Sequence, residues 1–279
     1  MGNKLVGSFG YKIINEWLSQ KDRHPFPFQQ EAWQRIINSE SGLVNAPTGC
    51  GKTYSVFLGA VIDFINKHPA DYKSKARNGL QLLWITPLRA LAKDIGRAME
   101  EVISELGMNW KIGIRNGDTD TSERQRQKRQ MPEVLIITPE SLHLLLAQKD
   151  HHEIFQSLKI IAVDEWHELL GSKRGVQVEL AISRIVNLVT GNMQWTMCNG
   201  QYEIDNKQTT TGHQLPIAHC LLSIWGISAT IGNLEEAKEV LLSPLSPFIR
   251  NEHFNKKNSL SKGCGLMASP NGGGREGAL

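Results

Sequence analysis

The chain has 279 residues, 40% of them hydrophobic and 21% charged, and a formal net charge of +3. This balance sets aside the disordered and fibrous classes, and at roughly 100–200 residues per domain it allows one large domain or two small ones. No stretch approaches the roughly 18–20 consecutive apolar residues of a membrane span, the first ten residues lack a signal-peptide layout, and the four irregularly spaced cysteines make no disulfide scaffold, so no membrane partner and a cytoplasmic location are expected.

Taken in order, residues 9–20 place Phe9, Ile13, Ile14, Trp17 and Leu18 at helical spacing. A second helix is expected from Gln29 to Asn38, after the turn His24–Phe28. Short apolar runs of strand type follow at Gly42–Asn45, Leu80–Thr86, Lys111–Arg115, Val134–Thr138, Lys159–Asp164 and Leu222–Ser228. Helical patterns separate most of them, at Lys52–Lys67, Arg89–Leu106, Ser122–Gln130, Glu140–Gln148 and Gly175–Val189. Apolar strands alternating with helices predict an α/β fold, a parallel sheet covered on both faces. Residues 190–217 are polar and aperiodic and are expected to form a long surface insertion. Residues 251–279 are polar and Gly-rich and are expected to be a disordered tail.

The strongest local signal is Ala46-Pro47-Thr48-Gly49-Cys50-Gly51-Lys52-Thr53. It joins a strand-type run to a helix start, where successive N–H groups can wrap phosphate oxygens and the helix terminus adds positive potential. Gly49 and Gly51 allow close backbone approach, Lys52 would reach the β- and γ-phosphates of ATP, and the Thr53 hydroxyl would hold Mg²⁺. A second signal is the apolar run 159–163 followed by Asp164-Glu165-Trp166-His167. In open parallel sheets, ligands bind beyond the carboxyl ends of strands. Asp164 would hold Mg²⁺ there, and Glu165 would act as general base on the attacking water. Cys50, between two loop glycines, is expected to alkylate readily and to be protected by bound ATP.

These motifs, in this order, resemble the first motor domain of a superfamily 2 helicase of the DExH type. Phe28-Gln29 ahead of Ala32-Trp33 looks like the adenine-reading glutamine motif, and the carboxamide of Gln29 can both donate to and accept from an adenine edge. Ala46–Thr53 looks like motif I in its Ala-first form, and Thr86–Leu91 like motif Ia. Arg115–Thr119 and Thr138–Leu142 look like the next two strand-contacting motifs, Asp164–His167 like motif II, and Ser228-Ala229-Thr230 like motif III. Within the superfamily, Asp164–Gly175 and Trp225–Leu234 are most similar to Lhr-like DNA helicases, including the ligase-associated branch.

The resemblance implies a single RecA-like motor domain of the P-loop NTPase class over residues 41–247, preceded by N-terminal helices over 1–40 and followed by an unpatterned 248–279. It implies catalytic roles for Lys52, Asp164, Glu165 and His167, and coupling roles for Ser228 and Thr230. Thr86, Arg89, Arg115, Asp118, Thr138 and Glu140 are expected at strand ends, on the face opposite the phosphate loop. With Lys173 and Arg174 they would track a nucleic-acid strand. The implied partners are single-stranded or duplex DNA, with RNA left open, and a second motor domain in cis in a longer protein. Single-strand binding is then expected to weaken with salt at a slope of about −2 to −4. The alternative is a truncated, non-catalytic nucleotide- and nucleic-acid-binding module that lacks the second motor domain.

Overall fold

The computed structural model describes residues 4–149, 151–199, 222–229, 231–246 and 264–268. Thr230, residues 200–221 and the tail apart from 264–268 lie outside them.

Two helices lead in. α1 (Phe9–Gln20) starts where the Ser8 hydroxyl accepts from the Tyr11 N–H at 3.3 Å. α2 (Pro27–Ile37) opens on a proline, which suits the first helical position. The remaining described elements run β1 (Ser41–Asn45), α3 (Lys52–Lys67), β2 (Leu82–Ile85), α4 (Arg89–Glu105), β3 (Ile112–Arg115), α5 (Thr121–Arg129), β4 (Val134–Ile137) and α6 (Pro139–Leu146). They continue with α7 (His151–Phe155), β5 (Ile160–Val163), α8 (Trp166–Leu169), α9 (Lys173–Asn199), β6 (Ser223–Ser228), α10 (Leu234–Leu242) and β7 (Cys264–Ala268).

The strands form one parallel sheet in the order β3-β4-β2-β5-β6-β1-β7. Successive residues of a strand point to opposite faces, and here both faces are covered. Leu82 and Trp84 of β2 join one apolar cluster with α1 to α4, while Leu83 and Ile85 join the other with α6 to α10. That is why β2, β4 and β5 are buried at every position and read as unbroken apolar runs rather than as alternations.

Glycines set two close approaches. A Cβ on Gly10 would lie 2.5 Å from the Ile62 carbonyl oxygen, so α1 rests directly on the backbone of α3. A Cβ on Gly59 would lie 2.4 Å from Ile36 Cδ1, which seats α2 against the same helix.

Two expectations are corrected. The expected insertion at 190–217 does not begin at 190, because α9 continues through Asn199. The Thr190 hydroxyl donates to the Val186 carbonyl at 2.7 Å, so a β-branched polar residue is absorbed into the helix by bonding its own preceding turn. The tail is not without structure either, since Cys264–Ala268 pairs with β1 as a parallel strand. Cys264–Ala268 is a five-residue run with no alternation, set within a polar Gly-rich stretch, so it gave no periodic signal.

Candidate active site

The sheet order decides which motifs meet. β5, β6 and β1 are neighbours, so Asp164, Ser228 and the Ala46–Thr53 loop emerge side by side from their carboxyl ends. The Ala46 N–H donates to the Ser228 carbonyl at 3.2 Å, tying the start of the loop to the end of β6. Gly49 and Gly51 have φ of +84° and +72°, conformations that only glycine adopts freely. Pro47, Thr48 and Gly49 are exposed at the rim, while Cys50 and Thr53 are half-buried.

Lys52, 8% exposed, donates from Nζ to the Ala46 carbonyl at 2.8 Å, across the mouth of the loop. Gln29 is buried, and its carboxamide is engaged at both ends. Oε1 accepts from the Phe26 N–H at 2.9 Å, and Nε2 donates to the Gly51 carbonyl at 2.9 Å. It therefore fastens the start of α2 to the phosphate loop, and leaves one N–H and one lone pair of the carboxamide without a protein partner among the described residues, open to an adenine edge.

Asp164 is 4% exposed. Its Oδ1 accepts from the Glu165 N–H at 3.0 Å, and Oδ2 accepts from Trp84 Nε1 at 3.4 Å. Burial, and then the neighbouring Glu165 carboxylate, push its pKa up to about 6, while Lys52 is among the groups pulling it back. Glu165 sits in the left-handed region at φ +47°, a strained conformation for a long side chain and one that gathers at functional sites. His167 Nδ1 lies 3.4 Å from Glu165 Oε2 and 2.9 Å from Ser228 Oγ, so one imidazole touches both the acidic turn and the end of β6.

The residues expected to track a strand occupy the other half of the same rim, at the ends of β3, β4 and β2, rather than an opposed face. Thr86 and Thr138 are buried; the Thr86 hydroxyl accepts from Leu88 N–H at 3.5 Å, and the Thr138 hydroxyl donates to Ser141 Oγ at 3.1 Å. Arg89 pairs with Asp118 at 3.3 Å. Glu140 pairs with Arg174 at 2.7 Å. Burial pushes the Glu140 carboxyl up, and its own backbone N–H together with Arg174 pulls it below its ordinary value. Arg115 is buried, its Nη1 has no hydrogen-bond partner among the described residues, and burial followed by Arg124 lowers its pKa. Lys173 is exposed at the start of α9.

Sequence reasoning missed two contributors. Trp84 lies behind Asp164, but in the sequence it is one more apolar strand residue. Arg124 donates from Nη2 to the Asn116 and Gly117 carbonyls at 3.0 and 3.3 Å and so shapes the turn after β3. Its only signal was a basic helical run, which ordinarily marks a solvated face.

A phosphate loop, an acidic strand end and a hydroxyl strand end on adjacent parallel strands define a nucleotide-hydrolysing motor fold. The chain belongs to the DEAD/DEAH box helicase family, whose model matches residues 26–237. It is 32% identical over 190 residues to the Lhr helicase/uracil glycosylase of Escherichia coli (strain K12), covering 64% of this chain and 12% of that protein. It is 33% identical over 184 residues to the ATP-dependent helicase Lhr-Core of Methanocaldococcus jannaschii, covering 62% of this chain and 21% of that protein. Among solved structures it is similar to the Mycobacterium smegmatis helicase Lhr bound to ssDNA and AMP-PNP, with a TM-score of 0.64 and 26% identity over 92% of this chain and 27% of that one. The chain thus spans between about an eighth and about a quarter of these relatives. Among the described residues, no helix is long and apolar enough to cross a membrane, and no three His, Cys, Asp or Glu side chains group as a metal site.

Proposed function

We propose that this chain is the ATP-binding motor domain of an ATP-dependent DNA helicase, coupling hydrolysis to movement along one strand and to duplex unwinding in the longer protein. The observation that carries this reading is the buried Asp164 carboxyl at the end of β5, one strand removed, across β6, from β1, whose end carries the Lys52 loop.

The residues present fit ATP with Mg²⁺. A buried carboxyl repelled by a half-buried carboxylate beside it is what a divalent cation relieves, and the Thr53 hydroxyl and Asp164 are the groups that would hold it. Bound there, the ion would neutralise charge on the phosphates. Lys52 would leave the Ala46 carbonyl for a phosphate oxygen, Glu165 would orient and deprotonate the attacking water, and the loop amides would fix the phosphates. His167 and Ser228 would carry the state of that site to the end of β6. The strand would lie along the ends of β3, β4 and β2, touched by Arg89, Arg115, Asp118 and Lys173, with backbone groups near Thr86 and Thr138.

A second motor domain in cis would complete the site with arginines, a contribution worth about 10³–10⁵ in rate in comparable phosphoryl transfers. The similar Mycobacterium smegmatis helicase Lhr, bound to ssDNA, favours DNA as the track, and a cytoplasmic location accompanies this reading. The test is the ATPase rate with and without single-stranded DNA. Lys52→Ala and Glu165→Gln are each expected to abolish turnover, and activity that survives both would place the chemistry elsewhere.

A further inference from the structure

At the amino ends of β2 and β5, on the sheet edge away from the motor motifs, lies an open cleft of about 430 Å³. It is lined by Phe64 and His68 from the end of α3, by Lys75, Arg77 and Asn78 from the following loop, and by Gln81, Ser157 and Lys159 at the strand starts. Lys159 and Asp164 are five residues apart along β5, which at about 3.3 Å per residue separates the cleft from the acidic turn by about 16 Å.

Among the described residues, no carboxylate lines the cleft. Lys75 and His68 share the nearby Asp71, at 3.5 and 3.9 Å, and Lys67 is held by Asp63 at 2.6 Å. The buried Glu133 behind the loop is already engaged by Asn78 and by the Lys111 N–H. Among the described residues, Arg77 and Lys159 have no acidic partner within ion-pairing distance, although Lys159 is half-buried. Burial, and then Lys67, push the Lys159 amine below its ordinary value, while Asp63, beyond ion-pairing distance and already held by Lys67, pulls it back in part. Helix-end cations usually answer the dipole of their own helix, which accounts for Lys67 and His68. It does not account for Arg77 and Lys159, which come from separate segments and converge on the same space. The Arg77 backbone lies at φ +59°, two residues before Gly79 at φ +67°, in the loop that lines the cleft.

We propose that this cleft is a second phosphate-binding site, one that takes the backbone of a nucleic-acid segment distinct from the strand on the motor rim. This inference rests on the motor reading. Unwinding yields two polyanions, the rim carries one, and a solvent-open cationic cleft suits a chain passing through it better than a small ligand that needs enclosure.

The test uses this chain and two labelled probes: a short single strand, and a forked duplex whose second strand extends beyond the fork. Acetylation of Lys159 is read by mass spectrometry with each probe and with inorganic pyrophosphate. The fork is expected to slow Lys159 labelling several-fold and the short strand to leave it unchanged. Arg77→Ala with Lys159→Gln is expected to weaken fork binding about tenfold and to reduce the magnitude of its salt slope by about 1–2. Short-strand affinity should stay within twofold, and Lys159→Arg with Arg77→Lys should restore fork binding. Protection by pyrophosphate without the fork would overturn the assignment to a strand. Equal loss on both probes, or no protection by either anion, would overturn the site itself. Failure of DNA to stimulate ATPase in the unaltered chain would count against the motor reading, which Lys159 labelling does not report.

Discussion

Asp164 shows how one buried carboxyl ties stability to function. Its pKa is about 6 in the folded chain against 3.8 as a free group, so between those values the folded chain holds a proton that the unfolded chain has released. Its contribution is therefore most favourable at low pH and is lost as pH rises through 6. At about 1.36 kcal/mol per unit, ionising it in place costs on the order of 3 kcal/mol above pH 6. Asp164→Asn is expected to raise the urea midpoint of the nucleotide-free chain at pH 8, to change it little near pH 4, and to abolish ATP turnover. Mg²⁺ is expected to raise Tm at pH 8 more than at pH 5. Parallel pH profiles for the wild type and Asp164→Asn would remove this account. The two acids were legible because they follow an apolar strand run. The engagement of Gln29 by Phe26 and Gly51 was not, since a carboxamide near a helix start gives no sign of which partner it has taken.

Among the elements, the contact of α1 with α3 has a single weak point. Gly10 donates its N–H to Asn66 Oδ1 at 2.7 Å and leaves no room for a Cβ beneath the Ile62 carbonyl. Helix propensity alone would make Gly10→Ala stabilising by about 0.5–1 kcal/mol. The clash is with backbone, which cannot rotate away, so net destabilisation of about 1–2 kcal/mol is expected. Gly7→Ala, with open space around it, serves as the control in urea unfolding. Long periodic helices such as α3 and the buried strands were readable to within a residue or two. α8 has four residues, too few for a period, and α10 was not singled out although Asn233 caps it by accepting from the Glu236 N–H at 3.3 Å.

Over the whole molecule, the sheet order divides one rim into a half that carries the phosphate loop, Asp164 and Ser228 and a half that carries the residues proposed to contact a strand. The order of strands is set by packing between distant segments and cannot be read from any one of them. This is why the strand-tracking residues were expected on an opposed face. The same division bears on binding strength. Arg89 and Arg174 are already paired, and Arg115 is buried, so few free cations face a strand. At about −0.7 per neutralised phosphate, a short single strand should bind with a log–log salt slope of about −2 to −4, measurable by anisotropy across a salt series. A much steeper slope would mean that cations elsewhere on the surface take part. The family was legible because its motifs are local in sequence, whereas the basic cleft at the amino ends is assembled from three segments that share no motif.

The left-handed backbone of Glu165 sets selection for durability against selection for turnover. Asparagine tolerates that conformation and carries no charge to repel Asp164, so Glu165→Asn should gain about 1 kcal/mol or more while losing the carboxylate proposed as general base. A library of variants sorted only for heat resistance should therefore become enriched in dead enzymes at this position. Ranking variants at residue 165 by melting temperature and by ATPase rate should give nearly inverse orders.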